Sequence, residues 1–134
     1  MIVNIQTVLP VTDNTGVKSI RCIKVSGRNT SGEAGDFIIG SIFRVRPRLK
    51  FRSGHIYRAV LIQTRFRTFR RCGSYIRSLS NRIVLIKKGE DVPIANRTKT
   101  YFFLELRIKI LFKITTLTIF LALFYIFLYF KKND

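Results

Sequence analysis

Carboxylates are scarce in this chain and missing from its middle. Seven Asp and Glu occur in 134 residues, and residues 37–89 carry fourteen Lys or Arg with no acid at all. There is one histidine, His55, with two cysteines and no tryptophan. General acid–base chemistry needs titratable groups that converge on a pocket. Here the acids are scattered as Asp13, Glu33, Asp36, Glu90, Asp91, Glu105 and Asp134, and the one imidazole follows Gly54 in a turn. An enzyme is therefore not expected, and neither is a cofactor. Cys22 and Cys72 lack the paired spacing a zinc site requires. One disulfide between them satisfies the arithmetic, but free thiols in a reducing compartment are the expectation. Residues 1–5 lack the charged start, apolar run and cleavage site of a secretory leader, and an arginine- and serine-rich presequence is not expected either.

What the chain has is positive charge. The formal net charge is +18. Charge of this density opposes compaction unless a polyanion neutralises it, which points first to nucleic acid and second to an anionic membrane surface. Arginine outnumbers lysine fifteen to ten. A guanidinium offers a planar fork to phosphate oxygens and stacks on bases, whereas an ammonium is a point charge. The bias favours docking on folded RNA.

The organising stretch is residues 57–88. Two apolar strand cores, Arg58-Ala59-Val60-Leu61-Ile62 and Arg82-Ile83-Val84-Leu85-Ile86, flank a basic connection with Arg65, Arg67, Arg70, Arg71 and Arg77. Phe66, Phe69 and Tyr75 are interleaved with those arginines, as in a ribbon laid against RNA. Upstream, Asp13-Asn14-Thr15-Gly16 reads as a turn in which Asp13 is structural. A strand over residues 17–25 follows. Alternation would put Val17, Arg21, Ile23 and Val25 on one face and Lys18, Ile20, Cys22 and Lys24 on the other. Residues 36–43 read as a third strand, with Gly40 a bend or bulge. Arg44, Arg46, Arg48, Lys50 and Arg52 alternate through an edge or projecting loop, and an extended chain would place them on one side. Five short strands rich in non-local pairing predict a small closed β barrel. The cations expected to bind RNA are Lys24, Arg44, Arg46, Arg48, Lys50, Arg52, Arg65, Arg67, Arg70, Arg71, Arg77 and Arg97.

The end of the chain changes character. Residues 101–107 begin an apolar run compatible with a helix, and residues 114–130 hold no charge between Lys113 and Lys131-Lys132. Seventeen residues lie at the lower limit for spanning a hydrocarbon core, and Tyr125 and Tyr129 fall near one end. Two readings follow: a segment packed on protein or RNA, or a membrane anchor for a basic protein. The division expected is a β-barrel RNA-binding domain over residues 1–100 and a C-terminal helical region with an apolar tail over 101–134.

Several strings resemble one family, the universal large-subunit ribosomal protein L-fourteen. They begin with Gln6-Thr7-Val8-Leu9-Pro10-Val11-Thr12-Asp13-Asn14-Thr15-Gly16 and continue with Cys22-Ile23-Lys24-Val25 and Gly27. Gly35-Asp36, Arg58-Ala59-Val60, Thr64, Arg70-Arg71, Gly73-Ser74-Tyr75-Ile76-Arg77 and Asn81 keep the family's order, as do Glu105-Leu106-Arg107 and Lys113-Ile114. The likeness covers roughly residues 6–118. Cys72 replaces the family's Asp before Gly-Ser, and Thr118-Ile119-Phe120 replaces its closing segment. The resemblance implies a five-stranded barrel with a projecting ribbon and short C-terminal helices. It also implies binding to large-subunit rRNA near the subunit interface, contacts with neighbouring large-subunit proteins, and contacts with small-subunit rRNA across that interface. Eighteen Ile and twelve Phe beside no Trp suggest an AT-rich genome, hence a mitochondrial ribosome on the matrix side, with a bacterial cytoplasmic ribosome as the alternative. An additional protein is expected over residues 114–130.

Overall fold

A computed structural model describes residues 3–27, 31–47 and 50–103. Seven strands occur in chain order: β1 (Val8–Pro10), β2 (Val17–Val25), β3 (Phe37–Val45), β4 (Ile56–Gln63), β5 (Thr68–Phe69), β6 (Tyr75–Ile76) and β7 (Arg82–Ile86). The main sheet is antiparallel in the order β1-β2-β3-β4-β7, and β5 and β6 form a separate two-stranded ribbon. No helix occurs among the described residues. The expected C-terminal helix and the apolar tail at 114–130 lie outside them, and residues 101–103 have no regular secondary structure.

The sheet is curled so that its two edges approach. Val11, just past β1, makes a single parallel bridge to Ile83, and Thr12 N donates to Ile83 O at 3.1 Å. A continuous closing ladder, as a fully closed barrel would have, is not formed. The edge strand β1 is three residues long and ends at Pro10, which has no N–H to donate, and the chain then turns away at residues 13–16.

Burial explains why β4 and β7 read as unbroken apolar runs. Ala59, Leu61, Ile83 and Leu85 face the inside of the curl, with Leu9, Ile20, Cys22, Ile38 and Ile42. Val60, Ile62, Val84 and Ile86 form a second cluster, packed against Phe37 and Phe102. Both faces of these two strands are covered, so neither face can be polar. Phe37 and Phe102 cover the outer cluster, while the chain after β7 pairs along that strand's edge: Ile94 N donates to Leu85 O at 3.1 Å, and Ile86 bridges Pro93. Each fully buried Ile or Leu contributes roughly 1.5–3 kcal/mol.

Strict alternation fails in β2, and two bulges are the reason. Val17 pairs with Val45 and Ser19 with Arg44, leaving Lys18 as an extra residue; Cys22 pairs with Gly40 and Lys24 with Ile39, leaving Ile23 extra; between them Ile20 pairs with Ile42, so that Phe43 is the extra residue on β3. Each bulge resets the phase of the pleat. The buried face is therefore Val17, Ile20, Cys22 and Val25, while Arg21 and Ile23 are exposed. The third strand runs two residues further than the pattern predicts, to Val45.

Candidate nucleic-acid interface

The basic ribbon is real and is anchored firmly at its base. Ser78 N donates to Thr64 O at 2.8 Å, and Arg65 N donates to Asn81 Oδ1 at 2.7 Å. Gln63, 1% exposed, donates through Nε2 to Tyr101 O at 2.7 Å and accepts at Oε1 from the Ser78 hydroxyl at 3.2 Å. A buried amide with both ends satisfied locks the stem to the C-terminal cover. Thr68 then pairs with Ile76 and Phe69 with Tyr75. At the tip, Arg70 N donates to Ser74 O at 2.8 Å and Gly73 N to Arg70 O at 3.1 Å. Gly73 has φ +84° there, a conformation that side chains disfavour.

Rings and guanidinium groups alternate over this ribbon. Arg67 lies over the Tyr75 ring at 4.7 Å, and the Phe69 and Tyr75 centroids are 6.4 Å apart at 59°. Phe69 is 70% exposed and Tyr75 51%, an unusual amount of aromatic surface to leave in water. Arg65, Arg67, Arg71 and Arg77 are exposed and Arg70 is half-buried. A pocket of about 360 Å³ at the ribbon base is lined by Arg65, Arg77, Ser78 and Leu79. Such a surface can stack unpaired bases on its rings and grip phosphates with its forks.

The β3–β4 loop carries the second group of cations. Arg44, Arg46, Lys50 and Arg52 are exposed, and Arg48 lies outside the described residues. The chain turns at Pro47 and again at residues 53–54, so the described part of this segment is not one continuous extended strand. The loop is held from beneath: Gly54 N donates to Ile42 O at 2.9 Å, the Ser53 hydroxyl reaches Ile42 O and Phe43 O at 3.3 Å, and Phe51 meets Tyr57 edge-on at 5.4 Å. Lys24 and Arg97 are exposed elsewhere, Lys24 on β2 and Arg97 beside the 13–16 turn, where Asn14 N donates to Arg97 O at 3.3 Å.

Other cations escaped the sequence reading. Arg21 sits over the Phe43 ring at 4.7 Å while Arg44 approaches the same ring at 5.4 Å. Counting alternate residues through the Lys18 bulge hides this pair. Lys18 and Lys99 are exposed near the turn and were also not singled out. Two arginines serve the fold instead. Arg58 pairs with Asp91 at 2.9 Å and covers Phe37 at 4.1 Å, and Arg82 Nε donates to Ser80 Oγ at 2.8 Å.

Both cysteines are free, Cys22 buried and Cys72 exposed. Burial pushes the Cys22 thiol up, and the Ser74 hydroxyl at 3.0 Å holds the Cys72 thiol below its usual range, with Arg70 adding to the effect. His55 is exposed in the loop, and among the described residues no three metal-ligating side chains cluster.

Asp13 is structural, as its turn predicts. Its Oδ1 accepts from Thr15 N at 3.0 Å and from the Thr15 hydroxyl, and its Oδ2 accepts from Leu85 N at 3.1 Å, tying the turn to β7. Burial raises its pKa above the ordinary 3.8, and these hydrogen bonds only partly oppose the shift. A raised folded pKa means that the protonated form is relatively favoured. The stability owed to Asp13 protonation is thus greatest below pH 3.8 and is lost as pH rises through the folded pKa. Asp13→Asn should abolish this fall. Urea midpoints taken in steps from pH 3 to 7 check it, since the variant's loss relative to wild type should be smaller at the upper end of that range than at the lower. A constant difference would rule the raised pKa out.

Residues 2–121, nearly the whole length, match the family described as Ribosomal protein L14p/L23e. The chain belongs to that family, whose members are structural, non-enzymatic ribosomal proteins of the large subunit.

Proposed function

We propose that the β5–β6 ribbon and the β3–β4 loop bind large-subunit rRNA near the subunit interface. Exposed rings set among arginines carry the reading, because stacking and phosphate contact together distinguish RNA from a generic polyanion. Lys24, Arg44, Arg46, Arg48, Lys50, Arg52, Arg65, Arg67, Arg70, Arg71, Arg77 and Arg97 supply the charge. Family membership supports the ribosomal setting, with neighbouring large-subunit proteins as partners and small-subunit rRNA across the interface. The AT-rich residue usage supports a mitochondrial ribosome. An apolar run of this length in residues 114–130 calls for cover, which we assign to a further protein of the particle.

The ribbon tip provides the test. Arg71→Ala and Phe69→Ala should each reduce incorporation into large subunits in a competition with wild type, while thermal midpoints stay close to the parent. Exposed side chains contribute little to folding, usually within about 0.5 kcal/mol. A stacked base would add about 1–3 kcal/mol of binding through Phe69. Equal incorporation of both variants would remove the ribbon from the interface.

A further inference from the structure

A second cationic site forms where the 13–16 turn meets the end of β3. It is an open pocket of about 450 Å³, and its lining includes Asn14, Lys18, Arg46 and Lys99. Three separate chain segments supply one cation each. All three are hydrogen-bonded through their backbones to the same stretch: Val11 N donates to Lys18 O at 3.0 Å, Arg46 N to Gly16 O at 3.0 Å, and Lys99 N to Thr12 O at 2.9 Å. The cations are therefore carried on a fixed frame and do not meet by chance along a floppy loop.

Nothing described neutralises them. No described carboxylate forms an ion pair with Lys18, Arg46 or Lys99. One acid, Asp13, lines the pocket, but its oxygens are occupied by Thr15 and by Leu85 N. Three positive groups against one inward-directed carboxylate leave a surplus that an anion must balance. A guanidinium fork flanked by two ammonium groups suits the oxygens of a phosphate.

The pocket is distinct from the ribbon, because the two share no lining residue: Lys18, Arg46 and Lys99 line the first, whereas Arg65, Arg77, Ser78 and Leu79 line the hollow at the ribbon base. We propose that Lys18, Arg46 and Lys99 form a seat for one RNA backbone phosphate, separate from the contact under the ribbon. This rests on the rRNA-binding reading and gives it a second point of attachment.

The full chain, titrated with a large-subunit rRNA fragment over a range of salt, tests it. Lys18→Gln and Lys99→Gln should each lower the slope of log affinity against log salt by about 1, the share of one phosphate. The double variant should lose little more than either single one, because both lysines serve the same phosphate. Combining Lys18→Gln with Arg71→Ala should instead add in full, and Lys99→Arg should restore binding. If wild type binds and the double variant keeps its affinity and slope, the seat is refuted while the rRNA reading stands. If inorganic phosphate shifts the amide resonances of Lys18 and Lys99 yet that double variant binds RNA like wild type, the pocket takes free phosphate and the RNA seat is equally refuted. Wild type without salt-dependent RNA binding would bring down the underlying reading, and the seat with it.

Discussion

Affinity of the chain for a large-subunit rRNA fragment should fall by roughly 10³–10⁵ between about 50 and 200 mM salt, the range expected for 6–10 phosphate contacts. The number follows from the surface. Lys24, Arg44, Arg46, Lys50, Arg52, Arg65, Arg67, Arg71, Arg77 and Arg97 are all exposed, and the eight of them within residues 37–89 lie in a stretch with no acid. Each neutralised phosphate releases condensed counterions, so the dependence steepens with every contact. Stacking on Phe69 and Tyr75 adds affinity without adding to the slope, because a ring releases no ion. The two contributions therefore separate in one experiment. Phe69→Ala should shift the line of log affinity against log salt downward in parallel, and Arg71→Ala should flatten it. Filter binding or anisotropy over five salt concentrations would resolve both. A wild-type slope shallower than about −2 would mean that fewer than three phosphates are engaged, and the proposed interface would be wrong.

The parts of the fold legible in the sequence are those where one local rule decides the outcome. β2 begins and ends where turn residues Gly16 and Gly27 flank it, and the apolar cores of β4 and β7 stand out because both faces of each are covered. The ribbon is legible from its composition, since arginines interleaved with rings have no place in a core. What failed to show depends on partners distant in sequence. The two bulges of β2 are set by the length of β3 opposite them, so counting alternate residues from Val17 misassigned Arg21 and Ile20. The cover over β4 and β7 is made by scattered residues such as Phe37 and Phe102, with no period to reveal it. The Lys18, Arg46 and Lys99 cluster is invisible for the same reason, as its members are brought together only by backbone hydrogen bonds to residues 11–16.

Gly40 shows how a local expectation and the structural requirement at one residue can differ. Its sequence context predicts a bend or bulge, and the adjacent bulge is in fact at Ile23 on β2. What requires glycine at position 40 is proximity. A Cβ there would lie 2.3 Å from Ile20 Cγ2 and 2.7 Å from Arg21 O. Ile20 is fully buried and cannot swing aside, and Arg21 belongs to the paired strand β2, so the backbone itself must shift. Gly40→Ala should therefore destabilise the chain by at least the roughly 1–3 kcal/mol of an overpacked core. Gly27→Ala meets no atom within 4 Å and bears only the strain of φ +84°, about 1–2 kcal/mol. Urea denaturation of both variants measures the two effects side by side. A double variant identifies the cause: Ile20→Ala deletes the obstructing methyl, so its combination with Gly40→Ala should be less damaging than the sum of the single changes. Simple additivity would refute the steric account and return Gly40 to the role of a flexible hinge. The Arg71→Ala effect on the salt slope should be the same in the folded Gly40→Ala chain as in wild type, because the ribbon stem departs from β4 and its hydrogen bonds to Asn81, Ser78 and Tyr101 do not pass through Gly40.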